Sequence, residues 1–174
     1  MPQPVDYVQV ALASSRAAFV AALPHTFVIS DGTLARATGP QRTAPVEKAD
    51  LLTTQDHPSD RQGRGFMALP LRKVHDTFPN MITLGRTANN DLVVPDVSIS
   101  KFHAFFRDLG AARGPRFELI DAGSKNGTWV AGVALSPRTD AFAIKLGDRL
   151  RFGRIEFTVV DAGSCWDTID RMRR

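Results

Sequence analysis

The sequence has few of the features that would set it apart from ordinary globular proteins. Its 174 residues include a single cysteine, Cys165, so no disulfide can form within the chain and no oxidising compartment is implied. No activating base stands beside this thiol in the sequence, and we expect it to be inert. No apolar run reaches the roughly 18 residues of a membrane span, and the apolar N-terminal stretch lacks the basic start of a secretory signal. These absences favour a cytoplasmic protein that does not cross a membrane.

The composition is that of a soluble globular domain with an uneven charge distribution. Apolar residues make up 43% and charged residues 23%, which is enough apolar material for a core. Residues 1–65 carry six basic and six acidic side chains, whereas residues 66–174 carry sixteen and twelve. The whole net charge of +4 therefore lies in the second part of the chain. A basic excess attracts anions, so nucleic acid, acidic protein segments and phosphorylated peptides are all candidate partners.

Residues 1–65 are predicted to be an N-terminal extension with one helix and a linker. Apolar residues between Val5 and Leu23 recur at spacings of three, four and seven, which places them on one helical face. Pro24 should end this helix, because the residue before a proline avoids helical backbone angles. The rest, to Gly65, is rich in glycine and proline among polar residues, as linkers are. A second short helix over residues 45–53 is weakly signalled.

From Phe66 onward the pattern changes to short runs typical of strands, separated by turn signals such as Asn126-Gly127 and Gly147-Asp148. The runs with this pattern are 66–71, 81–84, 92–94, 103–107, 117–120, 128–130, 149–152 and 155–160. Many short strands at such spacing predict an all-β fold, a two-layer antiparallel β-sandwich or a barrel. We assign the β domain to residues 66–162 and a C-terminal tail to residues 163–174.

Three polar clusters stand where predicted strands begin or end: Gly85-Arg86, residues 98–103 and residues 121–128. The ends of strands are where a β-sandwich gathers its loops, so the clusters can meet. They contain a guanidinium, a serine hydroxyl, two ammonium groups and an asparagine amide, which together can surround a tetrahedral dianion. Nothing in the clusters has the spacing of a carboxylate pair or a metal site.

The ordered set Gly85-Arg86, Ser100-x-x-His103 and Asn126-Gly127-Thr128 resembles the signature of the forkhead-associated (FHA) family. The run from Leu146 to Gly153 is also similar to the closing strands of that family. The similarity covers roughly residues 66–161, which is over half of the chain. It implies a two-layer β-sandwich that binds phosphothreonine peptides through loops at one end, without a cofactor, a metal ion or a catalytic residue.

The resemblance also implies a role for each residue of the motifs. Arg86 and Ser100 would contact the phosphate, Lys101 and Lys125 would border it, and Asn126 would hold the backbone of the peptide. Residues expected to support the loops are Gly85, His103, Gly127 and Thr128. The sequence departs from the family at Ala131-Gly132, where a second Asn-Gly pair is usual, and at Lys101, where arginine or asparagine is commoner. A lysine there keeps the charge but loses the fork geometry of arginine.

Other interpretations of the same residues remain open. Arg86 could pair with Asp91 on the surface, and Lys101 and Lys125 could be merely solvated. The spacings Ser98-x-x-Lys101 and Ser124-x-Asn126 occur in penicillin-binding enzymes, but their third element, Lys-Thr-Gly or Lys-Ser-Gly, is absent. A basic nucleic-acid-binding domain and an FHA-like domain with phosphate-independent contacts are further alternatives.

The expected partner is a phosphothreonine protein, either a substrate of a Ser/Thr kinase or the kinase itself. The extension contains a candidate phosphothreonine site of its own. Asp56 lies three residues after Thr53, a position that FHA domains often recognise in their ligands. Phosphorylation of Thr53 or Thr54 could thus let the chain bind itself, since a tethered ligand has a high effective concentration.

Overall fold

The computed structural model of the chain describes residues 6–30, 65–110 and 116–174. These residues form a two-layer β-sandwich with short helices near both ends of the chain, which confirms the predicted fold class. The helices are α1 (Tyr7–Leu12), α2 (Arg16–Ala22) and α3 (Ala162–Arg173). The strands are β1 (Phe27–Ser30), β2 (Met67–Pro70), β3 (Ile82–Gly85), β4 (Leu92–Val93), β5 (Ala104–Asp108), β6 (Phe117–Asp121), β7 (Thr128–Val130), β8 (Val133–Ala134), β9 (Phe142–Ile144), β10 (Arg149–Phe152) and β11 (Ile155–Val160).

Two sheets face each other across the core. The six-stranded sheet has the order β2-β1-β11-β10-β7-β8, and the five-stranded sheet has the order β4-β3-β5-β6-β9. Neighbouring strands are antiparallel, as predicted, except that the two-residue strand β4 runs parallel to β3. None of the described helices has the length and apolar content that crossing a bilayer requires.

Alternating side chains of the strands fill the space between the sheets. In β11 the residues that face inward are buried and the residues between them are half-buried, the period of two that a strand dictates. The aromatic centre of this core is Phe152, which meets Phe106 and Phe157 edge to face at ring distances of 6.3 and 5.7 Å. Such pairs contribute about 0.5–1.5 kcal/mol beyond the area that they bury, so they fix the strands that lead into the loops.

A second apolar cluster joins the helices to the outer face of the six-stranded sheet. Phe19 of α2 stacks on Phe27 of β1 at 5.8 Å, and Cys165 of α3 is fully buried among them. The Trp166 indole N–H donates to the carbonyls of Ala11 and Ser14, both at 3.2 Å. Burial, followed by the charge of Asp161, raises the pKa of the Cys165 thiol to about 12, so the thiol stays protonated and unreactive.

The predicted single helix over residues 5–23 is wrong in one respect, because the structure has two helices with a break between them. Ser15 caps the second helix by accepting a hydrogen bond from the backbone N–H of Ala18 at 3.3 Å. Serine favours such caps over helix interiors because its hydroxyl competes for backbone groups. The apolar spacing did not reveal the break, since Leu12 and Phe19 both turn toward the sheet. The end before Pro24 is as predicted.

The structure also differs from the predicted division of the chain. Phe27–Ser30, which we placed in the extension, is an internal strand of the sandwich and pairs with both β2 and β11. The segment predicted as a C-terminal tail is helical, as α3. Two short strands, β8 and β9, were not predicted because most of their residues are exposed and leave no alternation. The weakly signalled helix over residues 45–53 lies outside the described residues.

The β7–β8 hairpin suggests a stabilising substitution. Ala131 and Gly132 form a two-residue turn with φ angles of +48° and +84°, and left-handed backbone costs an alanine about 1–2 kcal/mol. Ala131→Asn should therefore raise the free energy of unfolding by about 0.5–1 kcal/mol in a denaturant titration, since asparagine tolerates this conformation. The control, Ala134→Asn, changes an exposed strand residue of the same hairpin and should give no gain. An equal gain from both would refute the turn explanation.

Candidate functional site

Hydrogen bonds bring the three predicted clusters together at one end of the sandwich. The backbone N–H of Arg86 donates to the Ser100 carbonyl at 3.0 Å. The backbone N–H of Lys125 donates to the Ser100 hydroxyl, also at 3.0 Å, and the Asn126 side-chain amide donates to the Ser98 carbonyl at 2.8 Å. The loops after β3, before β5 and after β6 are therefore in direct contact, and we call this end of the sandwich the apical end.

Three cationic side chains of these loops are exposed. They belong to Arg86, Lys101 and Lys125, and no acidic side chain in the described part of the chain forms an ion pair with any of them. The alternative pairing of Arg86 with Asp91 does not occur, because Asp91 accepts from Lys73 at 2.8 Å. The loops that meet at the half-buried Ser100 thus carry three exposed cations without an acidic partner among the described residues.

His103 connects two of the apical loops from beneath. Its ring is fully buried, accepts a hydrogen bond at Nδ1 from the Ser100 backbone N–H at 3.0 Å, and lies 3.0 Å from the Gly127 carbonyl at Nε2. Both bonds form together only when the neutral ring carries its proton on Nε2. Burial lowers the pKa of His103, although the Gly127 carbonyl and the charge of Asp121 act in the opposite direction.

The carboxylate of Asp121 organises the loop after β6. It accepts from the backbone N–H groups of Gly123 and Ser124 at 2.8 Å and from the hydroxyls of Ser124 and Thr128 at 2.6 Å. Burial alone would raise the pKa of Asp121, but these hydrogen bonds outweigh it and lower the pKa. The supporting role of Thr128 fits this contact, whereas Asp121 was not singled out from the sequence. The one sequence feature that pointed to this role of Asp121 is the short polar run that follows it, because an aspartate before such a run often accepts hydrogen bonds from the next backbone N–H groups.

Asn90 holds the loop after β3 in place by hydrogen bonds to backbone carbonyls. Its role was also not predicted from the sequence. Its side-chain amide donates to the carbonyls of Lys101 at 2.7 Å and Thr87 at 2.9 Å, and the residue is buried. Gly85 is required here because a Cβ atom would collide with the Lys101 carbonyl and lie 2.6 Å from the Asn90 amide nitrogen. The two loops can approach each other closely at Arg86 only because Gly85 has no side chain.

Asp96 and Arg154 anchor the loop before β5 to the β10–β11 turn. The guanidinium contacts the carboxylate at 2.8 and 3.0 Å, and the Ser98 hydroxyl donates to the same carboxylate at 2.7 Å. Burial would raise the pKa of Asp96, but the bonds from Arg154 and Ser98 lower it. Ser98 therefore has a structural role, and its hydroxyl is not placed as the nucleophile that the Ser-x-x-Lys spacing would require.

Gly127 lies directly over an aromatic ring. Its φ is +80°, and a Cβ atom at this position would be 2.7 Å from the Trp129 ring. The Arg151 guanidinium lies 3.4 Å from the centre of that ring. The predicted support role of Gly127 therefore has two causes, the left-handed backbone and the close contact with Trp129.

No cluster of three or more potential metal ligands occurs among the residues that the structure describes.

The burial of His103 predicts a pH-dependent stability. The ordinary histidine pKa is 6.5 and that of folded His103 is lower, so the unfolded chain binds the proton first as the pH falls. The free energy of unfolding should therefore decrease below about pH 6.5. His103→Gln should lower stability at pH 7.5 by about 1–3 kcal/mol, because it leaves buried backbone groups poorly paired, and should flatten the pH dependence. Denaturant titrations from pH 7.5 to 5.5 measure both effects.

The pKa of His25 is also lowered, mainly by burial and then by Arg72, so its titration would contribute in the same pH range. His25→Gln is the matched control, and it should leave the larger part of the pH dependence in place. An unchanged pH dependence in His103→Gln would rule out His103 as its source.

Comparison with known proteins identifies the segment that carries these loops. A family model described as FHA domain matches residues 82–153. The human Angiogenic factor with G patch and FHA domains 1 is 38% identical over 85 residues, covering 44% of this chain and 11% of that protein. The Oxoglutarate dehydrogenase inhibitor of Corynebacterium glutamicum is 36% identical over 72 residues, covering 41% of this chain and 45% of the inhibitor.

Solved structures are also similar to this chain. The structure of Mycobacterium tuberculosis EmbR in complex with a low affinity phosphopeptide has a TM-score of 0.43 and 25% identity, covering 55% of this chain and 22% of that one. This chain spans only 11% to 16% of the length of the first three curated relatives. The match to the family model and the arrangement of the signature residues concern the same segment, so residues 82–153 of this chain form an FHA domain.

Proposed function

We propose that the FHA domain binds a phosphothreonine segment of a partner protein through its apical loops. Arg86, Ser100, Lys101 and Lys125 would hold the phosphate, and Asn126 would hold the backbone of the peptide. The observation that carries the proposal is the set of three exposed cations on the loops that meet at Ser100, none of which pairs with an acidic side chain of the described residues. Unpaired cations at a preformed loop cluster suit an anionic ligand.

The hydrogen-bonding directions at Ser100 suit a phosphate ester. The Ser100 oxygen accepts from the Lys125 backbone N–H, so the hydroxyl hydrogen is available for donation to a ligand oxygen. A phosphate ester carries about −1.5 to −2 charges at neutral pH and offers three acceptor oxygens. The guanidinium of Arg86 can donate two parallel hydrogen bonds to such oxygens, among the stronger bonds that proteins form. A hydroxyl donor and a guanidinium donor on two loops in contact thus support phosphate recognition.

Asn126 is oriented for contact with a peptide. Its amide nitrogen donates to the Ser98 carbonyl at 2.8 Å, which fixes the side chain and its O/N assignment. The amide oxygen then faces away from Ser98 and can accept a hydrogen bond from a backbone N–H of the ligand. One asparagine would therefore join the loop framework to the peptide main chain.

The proposed activity is reversible binding and not catalysis. A shallow loop site with a few charged hydrogen bonds gives about −6 to −9 kcal/mol after ordering costs, which corresponds to micromolar dissociation constants. The partner would be a substrate of a Ser/Thr kinase or the kinase itself, in the cytoplasm. The name of the corynebacterial relative, Oxoglutarate dehydrogenase inhibitor, is consistent with a regulatory binding role.

Removal of the guanidinium tests the phosphate site. Arg86→Ala should weaken binding of a phosphothreonine peptide about 10- to 100-fold, because hydrogen bonds to charged groups contribute about 1.5–3 kcal/mol. The measurement is a fluorescence anisotropy titration with a library-derived phosphothreonine peptide and its unphosphorylated form. The matched control is Arg149→Ala, which removes another exposed arginine, on β10, and should leave the affinity within about twofold. Equal affinity for the two peptide forms would instead favour phosphate-independent contacts.

We further propose that phosphorylated Thr53 or Thr54 can occupy the same site in the same chain. Both threonines lie outside the described residues, between β1 and β2. Because β1 is an internal strand, the test must not remove the N-terminal extension, since that would also remove Phe27–Ser30 from its sheet. Substitution of the threonines keeps these strands in the chain.

A kinase-treated chain should bind an added phosphothreonine peptide at least about tenfold more weakly than the untreated chain, because the tethered segment competes at high local concentration. The variant Thr53→Ala/Thr54→Ala, treated in the same way, should retain full affinity. Isothermal titration calorimetry measures both, and mass spectrometry confirms the modified residue. Equal affinities before and after phosphorylation at these residues would exclude self-binding.

A further inference from the structure

Three phenylalanine rings form a stack on the outer side of the five-stranded sheet, beside the apical loops. Phe78 stacks on Phe102 at 6.1 Å with 8° between the ring planes, and Phe102 stacks on Phe105 at 6.2 Å with 21°. Phe105 lies between two core residues of β5, Ala104 and Phe106, and so points to the opposite face of the sheet. We call these three phenylalanines, at positions 78, 102 and 105, the phenylalanine stack.

The phenylalanine stack is exposed although it consists of large apolar side chains. Phe78 is 46% exposed and Phe102 is 39% exposed. Val74, from the same β2–β3 connection as Phe78, is also exposed, at 54%. Single exposed apolar residues are ordinary, but a contiguous aromatic surface on a soluble domain marks a contact site. The six-stranded sheet differs in this respect, because helices cover part of its outer face.

The stack is joined rigidly to the proposed phosphate site. Phe102 stands between Lys101, which borders that site, and His103, which is fixed by two hydrogen bonds. The Lys101 carbonyl in turn accepts from the buried Asn90 amide at 2.7 Å. An extended peptide advances about 3.3 Å per residue, so a segment seated at Ser100 can reach the ring of Phe102 within a few residues.

We propose that the phenylalanine stack binds an apolar side chain of the same polypeptide that carries the phosphothreonine. This inference rests on the proposed function and adds a determinant of partner choice. The occupant is a segment with an aromatic or large aliphatic residue near the phosphorylated threonine. Apolar side chains gain from burial against aromatic faces, and the phosphate at the adjacent cations fixes the register of the chain.

The positive charge beside the phenylalanine stack disfavours a second copy of this chain as the occupant. A symmetric dimer through the phenylalanine stack would bring Lys101 of both copies to one interface, with Arg86 and Lys125 nearby. No acidic side chain of the described residues compensates these cations. Like charges across an interface are unfavourable, whereas a phosphorylated segment supplies the missing negative charge.

The test uses a peptide library with a fixed central phosphothreonine and random residues on each side, and the same library with threonine. Three proteins are compared: the full chain, Phe78→Ser, and the control Phe142→Ser, which removes a phenylalanine of similar exposure (37%) on the far edge strand β9. Phe78 is chosen because it lies outside the phosphate-binding loops. Phe105→Thr, on β5 and also outside those loops, serves as the second variant if Phe78→Ser lowers the melting temperature.

The full chain and Phe142→Ser should enrich aromatic or large aliphatic residues at one or more flanking positions, and Phe78→Ser should lose this enrichment. The best apolar peptide should bind Phe78→Ser about three- to tenfold more weakly, while the affinity of its alanine version changes less than about twofold. Preference for the phosphorylated library should persist in every variant.

Each other outcome counts against a specific claim. Unchanged enrichment in Phe78→Ser overturns the role of the phenylalanine stack and leaves the proposed function in place. Equal retention of the two libraries by the full chain overturns the proposed function itself, and with it this inference. A concentration-dependent dimer that Phe78→Ser abolishes, measured by analytical ultracentrifugation, assigns the stack to self-association and overturns the assignment to a peptide.

Discussion

The arrangement of the apical loops depends on one buried imidazole with a hydrogen bond on each side. His103 joins the backbone of Ser100 to the backbone of Gly127, and so sets the spacing between the loop before β5 and the loop after β6. Because both bonds are to backbone groups, they fix the loops whatever side chains the loops carry. Buried or half-buried polar side chains extend the same principle to the rest of the site: Asp121, Asn90 and Asp96. A layer of such groups thus holds the exposed cations in place.

The two faces of the sandwich have different environments. Helices from both ends of the chain cover part of the six-stranded sheet, whereas the outer side of the five-stranded sheet carries the phenylalanine stack. A partner that contacts the apical loops and an apolar surface together must therefore approach from the side of the five-stranded sheet. The helices instead shield part of β1, β2 and β11 from solvent and from other chains.

Much of the sandwich could be predicted from alternation and turn residues, because strands with one buried face repeat every second residue. Strands β2, β3, β4, β5, β6, β7, β10 and β11 lie within or beside the predicted runs. Phe27–Ser30 was predicted as part of the N-terminal extension and not as a strand, because its partners in β11 are remote in the sequence. Phe27 lies opposite Val160, and Ile29 lies opposite Thr158. Pairing over such a distance leaves no local pattern to recognise.

The cationic cluster could be predicted more fully than the polar groups beneath it. Strand ends gather in a sandwich, so the order of Arg86, Ser100 and Asn126 was enough to expect one cluster. The roles of Asp121 and Asn90 could not be predicted, because a polar residue in a sequence does not reveal whether it is buried or which backbone groups it meets. The break between α1 and α2 was hidden for a related reason, since both short helices keep an apolar face toward the sheet.

The pairing of β1 with β11 has a consequence for how the chain reaches its fold. The middle of the six-stranded sheet joins segments from nearly opposite ends of the sequence. Contacts between such distant segments form slowly, because the chain loses the entropy of loop closure before the contact contributes any stabilisation. During synthesis, β1 and β2 emerge from the ribosome well before β11 is made. Until β11 is made, the edge of β1 that pairs with it has no partner, and the six-stranded sheet can be completed only once this last strand is available.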